Sequence, residues 1–365
     1  MIIAVDGNEA NVQNRVGVSV YTYNLLKYFQ KKASGELSFR IYLRCQPLTD
    51  MPKENPYFKY EVVAGKFLWS QIFLPLALFS KKQLDVFFSP AHYLPRVCPV
   101  PTVVTIHDLS YLYFPEDFLK KDLYQLKNWT QSSISKATKV IAVSKTTKKD
   151  IEKAYGASQD KVIVVYNGYE KIHTSAEGKL RVNLSRNPYI LYVGTLQPRK
   201  NVTFLIEAFS KIKSSYPDMK LVIAGKKGWL YEKIFEKVED LGLDDEIYFT
   251  DFITDNQLIF LYKNAFCLVL PSLYEGFGIP ILEAMSFRCP VVSSFTAALP
   301  EIGGDAALYF DPKNQADLIE KIRLIKENEK MRKDLVKKGL ARIKEFSWES
   351  CGEKTLEIIK SAVKK

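Results

Sequence analysis

Short apolar runs recur along this chain, and each is followed by residues at helical spacing. In the first half they are MIIAVDG, FRIYLRC, DVFFSP, TVVTIHD, KVIAVSK and KVIVVYNG. In the second half they are YILYVGT, KLVIAGK, EIYFTDF, FCLVLPS, PVVSS and ALYF. Continuous β-branched runs, without strict apolar–polar alternation, belong to strands buried on both faces, hence to parallel sheets covered by helices. The β–α alternation fills both halves. Between them lies YEKIHTSAEGKLRVNLSRNP, residues 169–188, polar and aperiodic, which reads as a linker. At 365 residues the chain is also too long for one ordinary core. The predicted architecture is two doubly wound, Rossmann-like α/β domains facing a central cleft, residues 1–175 and 176–345. In such sheets ligands bind beyond the carboxyl ends of the strands, so chemistry is expected in the residues just after each run.

Composition narrows the partners. The formal charge is +11, from 52 Lys+Arg against 41 Asp+Glu, an excess that suits anionic ligands. The denser basic groups, SKTTKKD and KMRKDLVKKG, sit among apolar residues at helical spacing. Solvated helix faces account for them, and nucleic acid is not expected as a partner. Cys45, Cys98, Cys267, Cys289 and Cys351 stand far apart, and with three histidines beside them no zinc pattern forms. Reduced thiols in a cytoplasmic protein without a metal are the expectation. The start, MIIAVDGNEAN, lacks the basic opening and long apolar run of a signal peptide. The most apolar window, FLWSQIFLPLALF at residues 67–79, is too short to span a bilayer. It reads first as a core-facing helix. Peripheral contact with an inner membrane surface is the other reading, because Lys66, Lys81 and Lys82 flank it.

Five segments carry candidate chemistry. YILYVGTLQPRKNVTFLIEAF ends a buried strand at Gly194 and delivers Arg199 and Lys200 just before an amphipathic helix. The free N–H groups and dipole of a helix start attract an anion, and two cations beside them suit a diphosphate. The alternative is a pair of solvated loop charges. Gly225 ends the strand of KLVIAGK, either to leave room for a ligand or as an ordinary strand-to-loop glycine. Gly17, in NRVGVS, precedes a helix with Val20, Leu25, Leu26 and Phe29 spaced for burial. It offers backbone donors to a phosphate but falls short of G-x-G-x-x-G, and neither a nicotinamide fingerprint nor a P-loop is present. TVVTIHDL sets His107 and Asp108 at the end of a strand. His107 is there to bond a ligand hydroxyl or a developing charge, or as a satisfied structural group; Asp108 orients a ligand hydroxyl or caps the next turn. Finally, PSLYEGFGIPILEAM places Glu275 and Glu283 around a loop that Gly276 and Gly278 strip of side chains. Pro280 suits a helix's first turn, which puts Glu283 in that turn and Glu275 in the loop. Two glutamates could be an acid and a base. No hydrolase feature accompanies them, and carboxylates are also the usual partners of sugar hydroxyls.

In this order the segments resemble the retaining family 4 of the GT-B glycosyltransferases, which use nucleotide-sugar donors. The resemblance runs from Gly17 through TIHDL, VIAVSKTTKKDI, VYNG, YVGTLQPRKN, LVIAG and PSLYEGFGIPILEAM to PVVSS and LPEIGGDAALYFDP. Within the family, the pattern is similar to bacterial mannosyltransferase-like members through LWSQIFLPLAL, DVFFSPAHYLP and HDLSYLYFPEDF. The resemblance implies that Glu283 binds the donor's ribose hydroxyls. Glu275 and the backbone N–H groups around Gly276, Phe277, Gly278 and Ile279 would hold the transferred sugar and the phosphates. Arg199 and Lys200 would neutralise the departing diphosphate, the work of a metal in other transferases. Gly17 would approach the same phosphates, His107 the sugar near its reacting carbon, and Phe252 the base. FSWESCGEKTLEIIKSAVKK, residues 346–365, would be the final helix that crosses back onto the first domain.

The implied reaction moves a hexosyl group, mannose from GDP-mannose as first choice, to a glycan or lipid-linked saccharide in cell-surface polysaccharide synthesis. Retention by same-face attack, with the leaving phosphate as base, needs no protein nucleophile and no cofactor. The single glycine of NRVGVS departs from the family's usual glycine pair. Two other readings stay open. One is a GT-B-fold epimerase or phosphorylase, although no segment singles out the Schiff-base lysine of a pyridoxal enzyme. The other is a non-catalytic nucleotide-sugar binding protein.

Overall fold

The computed structural model describes residues 1–81, 83–171, 187–251 and 253–363. The chain divides into two compact units, Met1–Gly168 with Phe346–Lys365, and Tyr169–Glu345. The boundary expected at residue 175 lies outside the described residues, as does Phe252.

The first unit opens with β1 (Ile2–Asp6), α1 (Val18–Lys32), β2 (Ser38–Leu43) and β3 (Phe58–Val62). It continues through α2 (Phe73–Ser80), β4 (Val86–Ser89), β5 (Thr102–Ile106), α3 (Ser110–Tyr113) and α4 (Lys120–Lys136). It closes with β6 (Lys139–Ala142), α5 (Lys145–Tyr155) and β7 (Val162–Val164). The strands form one sheet in the order β3-β2-β1-β4-β5-β6-β7, every pair parallel. Successive strand side chains point to opposite faces. Accordingly Ile3, Val5 and Phe88 pack with Leu25, Leu26 and Phe29 of α1, whereas Ala4, Phe87 and Val104 pack with Leu74, Leu78, Ile134 and Ile151 on the other side. Both faces are covered, which is why the runs are apolar throughout.

Two details differ from the sequence expectation. β3 was not among the expected strands. It pairs with β2 alone at the sheet edge, and FKYEV carries Lys59 and Glu61, so it lacks the continuous apolar run of a strand buried on both faces. The window at 67–79 is helical only from Phe73, and it is core-facing on one side alone. Leu74, Pro75 and Leu78 are buried, while Ile72, Leu76 and Phe79 are exposed, Leu76 at 66% and Phe79 at 57%.

The second unit alternates β8 (Tyr189–Val193), α6 (Val202–Ser215), β9 (Lys220–Ala224), α7 (Glu232–Asp240) and β10 (Ile247–Phe249). Next come α8 (Asp255–Asn264), β11 (Cys267–Leu270), α9 (Ile279–Ser286), β12 (Val291–Ser294) and α10 (Leu299–Gly303). It ends with β13 (Ala307–Phe310), α11 (Gln315–Glu327) and α12 (Glu329–Arg342). Its parallel sheet runs β10-β9-β8-β11-β12-β13. α8 starts with a capping box, in which the Thr254 side chain and the Gln257 side chain satisfy each other's backbone N–H.

The last helix, α13 (Trp348–Ser361), belongs to the first unit, as the family resemblance implied. Leu356 and Ile359 join the core on the α1 side of the sheet. Ser347 caps its start by accepting from the Ser350 N–H at 3.1 Å. Gly352 allows the close approach, since a side chain there would run into the ring of Tyr28.

Candidate active site

In the second unit the strand order reverses between β8 and β11, where connections diverge to either side and leave a crevice beyond the strand ends. The two loops that leave those strands carry the candidate charges. After β8 the chain makes a 3-10 turn over Pro198–Lys200, and Asn201 enters α6 in the left-handed conformation at φ 57°. The Asn201 side-chain amide donates to the carbonyls of Pro271 and Pro312, at 3.2 and 3.0 Å. The Leu273 N–H donates to the carbonyl of Arg199 at 2.8 Å. These bonds lock the β8 loop onto the β11 loop.

The result is a compact ionic cluster. Lys200 Nζ lies 2.5 Å from Glu275 Oε1, and Arg199 Nη1 lies 3.9 Å from Glu275 Oε2. Arg199 Nη1 also donates to the carbonyl of Tyr274 at 3.3 Å, and Ser272 Oγ donates to Glu275 Oε1 at 2.8 Å. Burial works to raise the pKa of Glu275. The charges of Lys200 and Arg199 and the hydrogen bonds from Lys200 and Ser272 outweigh it, and hold the carboxyl below its ordinary value. With two cations and one carboxylate, the cluster carries a net positive charge at a helix start.

The bare loop behind it is shaped by Gly278, whose φ of 108° favours glycine. A Cβ there would also meet Leu299 at 2.7 Å. Gly276 and Phe277 are buried in this loop. α9 then begins at Ile279, with Pro280 in its first turn. Glu283 is the fifth residue of the helix, so it stands in the second turn and not in the first as expected. Its carboxylate accepts from Tyr262 OH, on α8, at 2.7 Å. Burial raises its pKa against that hydrogen bond. The two glutamates are thus held by different partners and shifted in opposite directions.

Gly225 follows β9, and a Cβ there would collide with the carbonyl oxygen of Gly194, at the end of neighbouring β8. That crowding alone accounts for a glycine.

In the first unit Gly17 sits before α1 at φ 54° and ψ −114°, a conformation natural only to glycine, with open space around it. His107 follows β5 and is buried. Its Nε2 hydrogen-bonds to the carbonyl of Pro90 at 2.8 Å, and Tyr21 meets it edge-on with ring centroids 4.8 Å apart. Burial, aided by His92, lowers its pKa to about 4, against the Pro90 hydrogen bond and Asp108. Asp108 Oδ1 accepts from the N–H and hydroxyl of Ser110, at 2.9 and 2.8 Å, and so caps the following turn.

The structure therefore brings Arg199, Lys200 and Glu275 together, and holds Glu283 through Tyr262. Three supporting residues have no equivalent in the sequence reading: Asn201, Ser272 and Tyr262. Asn201 adjoins the Arg-Lys pair and Ser272 lies in the glutamate loop, so both were within reach of the motifs. Tyr262 lies on another helix with nothing local to mark it. Asp6, at the end of β1, has its carboxyl pushed up to about 6 by burial, against hydrogen bonds from Asn8.

Comparison with known proteins gives a consistent family. The glycosyl transferases group 1 profile matches residues 179–342, and the glycosyltransferase family 4 profile matches residues 16–171. The chain is 31% identical over 285 residues to the O-antigen chain mannosyltransferase B of Escherichia coli, covering 75% of this chain and 74% of that one. It is 31% identical over 226 residues to the O-antigen chain mannosyltransferase RfbU of Salmonella typhimurium, covering 61% and 60%. Among solved structures, the sucrose-phosphate synthase of Thermosynechococcus elongatus superposes with a TM-score of 0.78 at 18% identity, over 99% of this chain and 98% of that one.

Proposed function

The chain belongs to glycosyltransferase family 4, and we propose that it moves a hexosyl group from a nucleotide-diphosphate sugar to a glycan or lipid-linked saccharide, with retention and without a metal. The observation that carries the reading is the Arg199–Lys200–Glu275 cluster at the reversal of strand order. Breaking a sugar–phosphate bond builds negative charge on the departing diphosphate. Two fixed cations beside the start of α6 stabilise that charge without reorganising at the moment of reaction. Glu275 keeps them in place when no ligand is bound. Lysine has three N–H donors, so Lys200 can hold Glu275 and a phosphate oxygen together.

Glu275 then accepts from hydroxyls of the transferred sugar, and Glu283 from those of the ribose. The backbone N–H groups at the start of α9 face the phosphates across the side-chain-free loop. His107 offers a neutral imidazole to a sugar hydroxyl. Mannose from GDP-mannose is the first choice, supported by the two O-antigen mannosyltransferases among the relatives, and polysaccharide biosynthesis is the setting they suggest.

The acceptor side is read from α2. Ile72, Leu76 and Phe79 leave an exposed apolar face flanked by Lys66 and Lys81, and Phe67 beside it is 84% exposed. Among the described residues no helix is long and apolar enough to cross a membrane. A lipid surface with anionic headgroups would cover this face, which suits a lipid-linked acceptor. In a flotation assay, Leu76→Glu and Phe79→Glu should each weaken binding to phosphatidylglycerol vesicles, with turnover of a soluble acceptor retained. Unchanged flotation would remove the membrane from the reading.

The main test is turnover of GDP-mannose and UDP-sugars with a lipid-linked saccharide, beside thermal shifts with GDP and UDP, since a ligand of the native state raises Tm. Transfer with retained anomeric configuration in the presence of a chelator is the expected result. Binding without turnover would make the chain a nucleotide-sugar binding protein, and inversion would reject the same-face mechanism.

A further inference from the structure

His92 lies half-buried in the loop after β4 and combines two features that an ordinary histidine avoids. Its backbone stands in the left-handed region at φ 42°, sparsely populated for a residue with a side chain. Its N–H is bonded to the carbonyl of Thr105 on β5 at 2.9 Å, so the neighbouring strand holds that conformation. The second feature is in the ring. Nε2 accepts the backbone N–H of His107 at 3.3 Å and therefore carries no proton. Burial lowers the ring's pKa against the pull of Asp108, so it is neutral near pH 7 with its proton on Nδ1. That Nδ1 is buried and has no partner among the described residues.

Buried donors in native proteins are almost always paired, and leaving one unmade costs its desolvation. Strain and an unmade hydrogen bond coincide at one residue, and that residue stands beyond the carboxyl end of β4. There the sheet order β2-β1-β4-β5 reverses, and such reversals are where ligands of doubly wound sheets bind. His107, 5.7 Å away between ring centroids, is in the complementary state. Its Nε2–H is spent on the carbonyl of Pro90, which leaves Nδ1 as its acceptor. The two rings together offer one neutral donor and one neutral acceptor. A hydroxyl accepts from the first and donates to the second, whereas a phosphate would call for cations.

We propose that His92 is a substrate-contacting residue, its Nδ1–H donating to the oxygen of a sugar hydroxyl bound beyond the carboxyl ends of β4 and β5. The identity of the ligand as a sugar rests on the transferase reading; the state of the two rings does not.

Two substitutions separate the ring nitrogens. Asparagine places an amide N–H near the Nδ1 position and tolerates positive φ. Glutamine places its carbonyl near the Nε2 position and keeps the bond from the His107 N–H while lacking the donor. His92→Gln should therefore lower kcat/KM by about 10- to 100-fold, the loss of one buried hydrogen bond to substrate, with a Tm loss of no more than about 3 °C in the absence of ligand, since glutamine tolerates positive φ less well than histidine. His92→Asn should keep kcat/KM within about 5-fold while its Tm falls. A raised KM for the saccharide acceptor places the hydroxyl on the acceptor, and a raised KM for the sugar nucleotide places it on the donor. Wild-type kcat/KM in His92→Gln overturns the proposal, as does a Tm loss beyond about 3 °C in that same variant, which would make His92 structural. The Tm criterion is read without substrate, so it stands apart from any failure of the wild-type chain to turn over a sugar nucleotide, which would sink the transferase reading instead.

Discussion

The two units bring their chemistry to the same kind of place, beyond the ends of parallel strands, in opposite electrostatic states. In the second unit it is ionic: Arg199 and Lys200 close on Glu275, and the carboxylate's pKa falls because counter-charges outweigh burial. In the first unit it is neutral: His107 is buried against Tyr21 and Pro90, and burial lowers its pKa to about 4. A charged site keeps its ions because they compensate one another. A neutral site keeps its polarity by excluding charge. The first kind suits a diphosphate, the second a sugar hydroxyl.

Removing one cation should break the ionic half most severely. Arg199→Ala and Lys200→Ala are each expected to cost about 2–4 kcal/mol of transition-state stabilisation, by analogy with the loss of an oxyanion donor. That is a fall in kcat of about 30- to 1,000-fold, and a kcat near wild type in both would leave the cluster without a leaving group to serve. Glu275→Ala strands the two cations, and should lower stability by about 3 kcal/mol in urea unfolding. GDP or UDP should then raise Tm more in this variant than in wild type, because the diphosphate replaces the lost counter-charge. Equal shifts would mean that Glu275 and the diphosphate do not share the cations.

The neutral half is tested by pH. The folded protein holds His107 near 4, below the ordinary 6.5, so the unfolded chain binds the proton more readily. Stability from the neutral ring is fully present above pH 6.5 and is lost as pH falls toward 4, by about 3 kcal/mol in all. His107→Gln retains a donor for Pro90 and should lose less stability than wild type between pH 7 and pH 4.5. Parallel losses would place the titration elsewhere. The smallest effect is expected at Gly225, where Gly225→Ala forces a Cβ against the Gly194 carbonyl and should cost about 2 kcal/mol. Affinity for GDP or UDP should be unchanged once folded. Normal Tm with lost affinity would move Gly225 from a packing role to a ligand role.

The difference between the halves also explains what could be read in advance. All twelve expected runs are strands, because a strand buried on both faces is apolar at every position. β3 escaped because FKYEV interleaves Lys59 and Glu61 with its apolar residues, unlike the other edge strands, VIV, IYF and ALYF. Arg199, Lys200 and Glu275 stand out because charges at strand ends have few structural reasons to be there. Tyr262 has no such mark: its hydroxyl reaches Glu283 from a separate helix, and no spacing within one segment encodes that. The exposed side of α2 was equally hidden, since FLPLALFS is apolar all round and does not say which face the core will take.

By itself the sequence determined the α/β alternation, the division into two Rossmann-like units, the return of α13 and the family, because these follow from local periodicity and from motifs a few residues long. Tertiary structure alone decided which way each carboxyl's protonation shifts. Glu275 and Glu283 are the same residue type eight positions apart in one motif, yet one is held ionised by cations from another loop while the other is pushed toward protonation by burial. Protonation state depends on the charges and the water that surround a side chain in space, and neither is written in its neighbours along the chain.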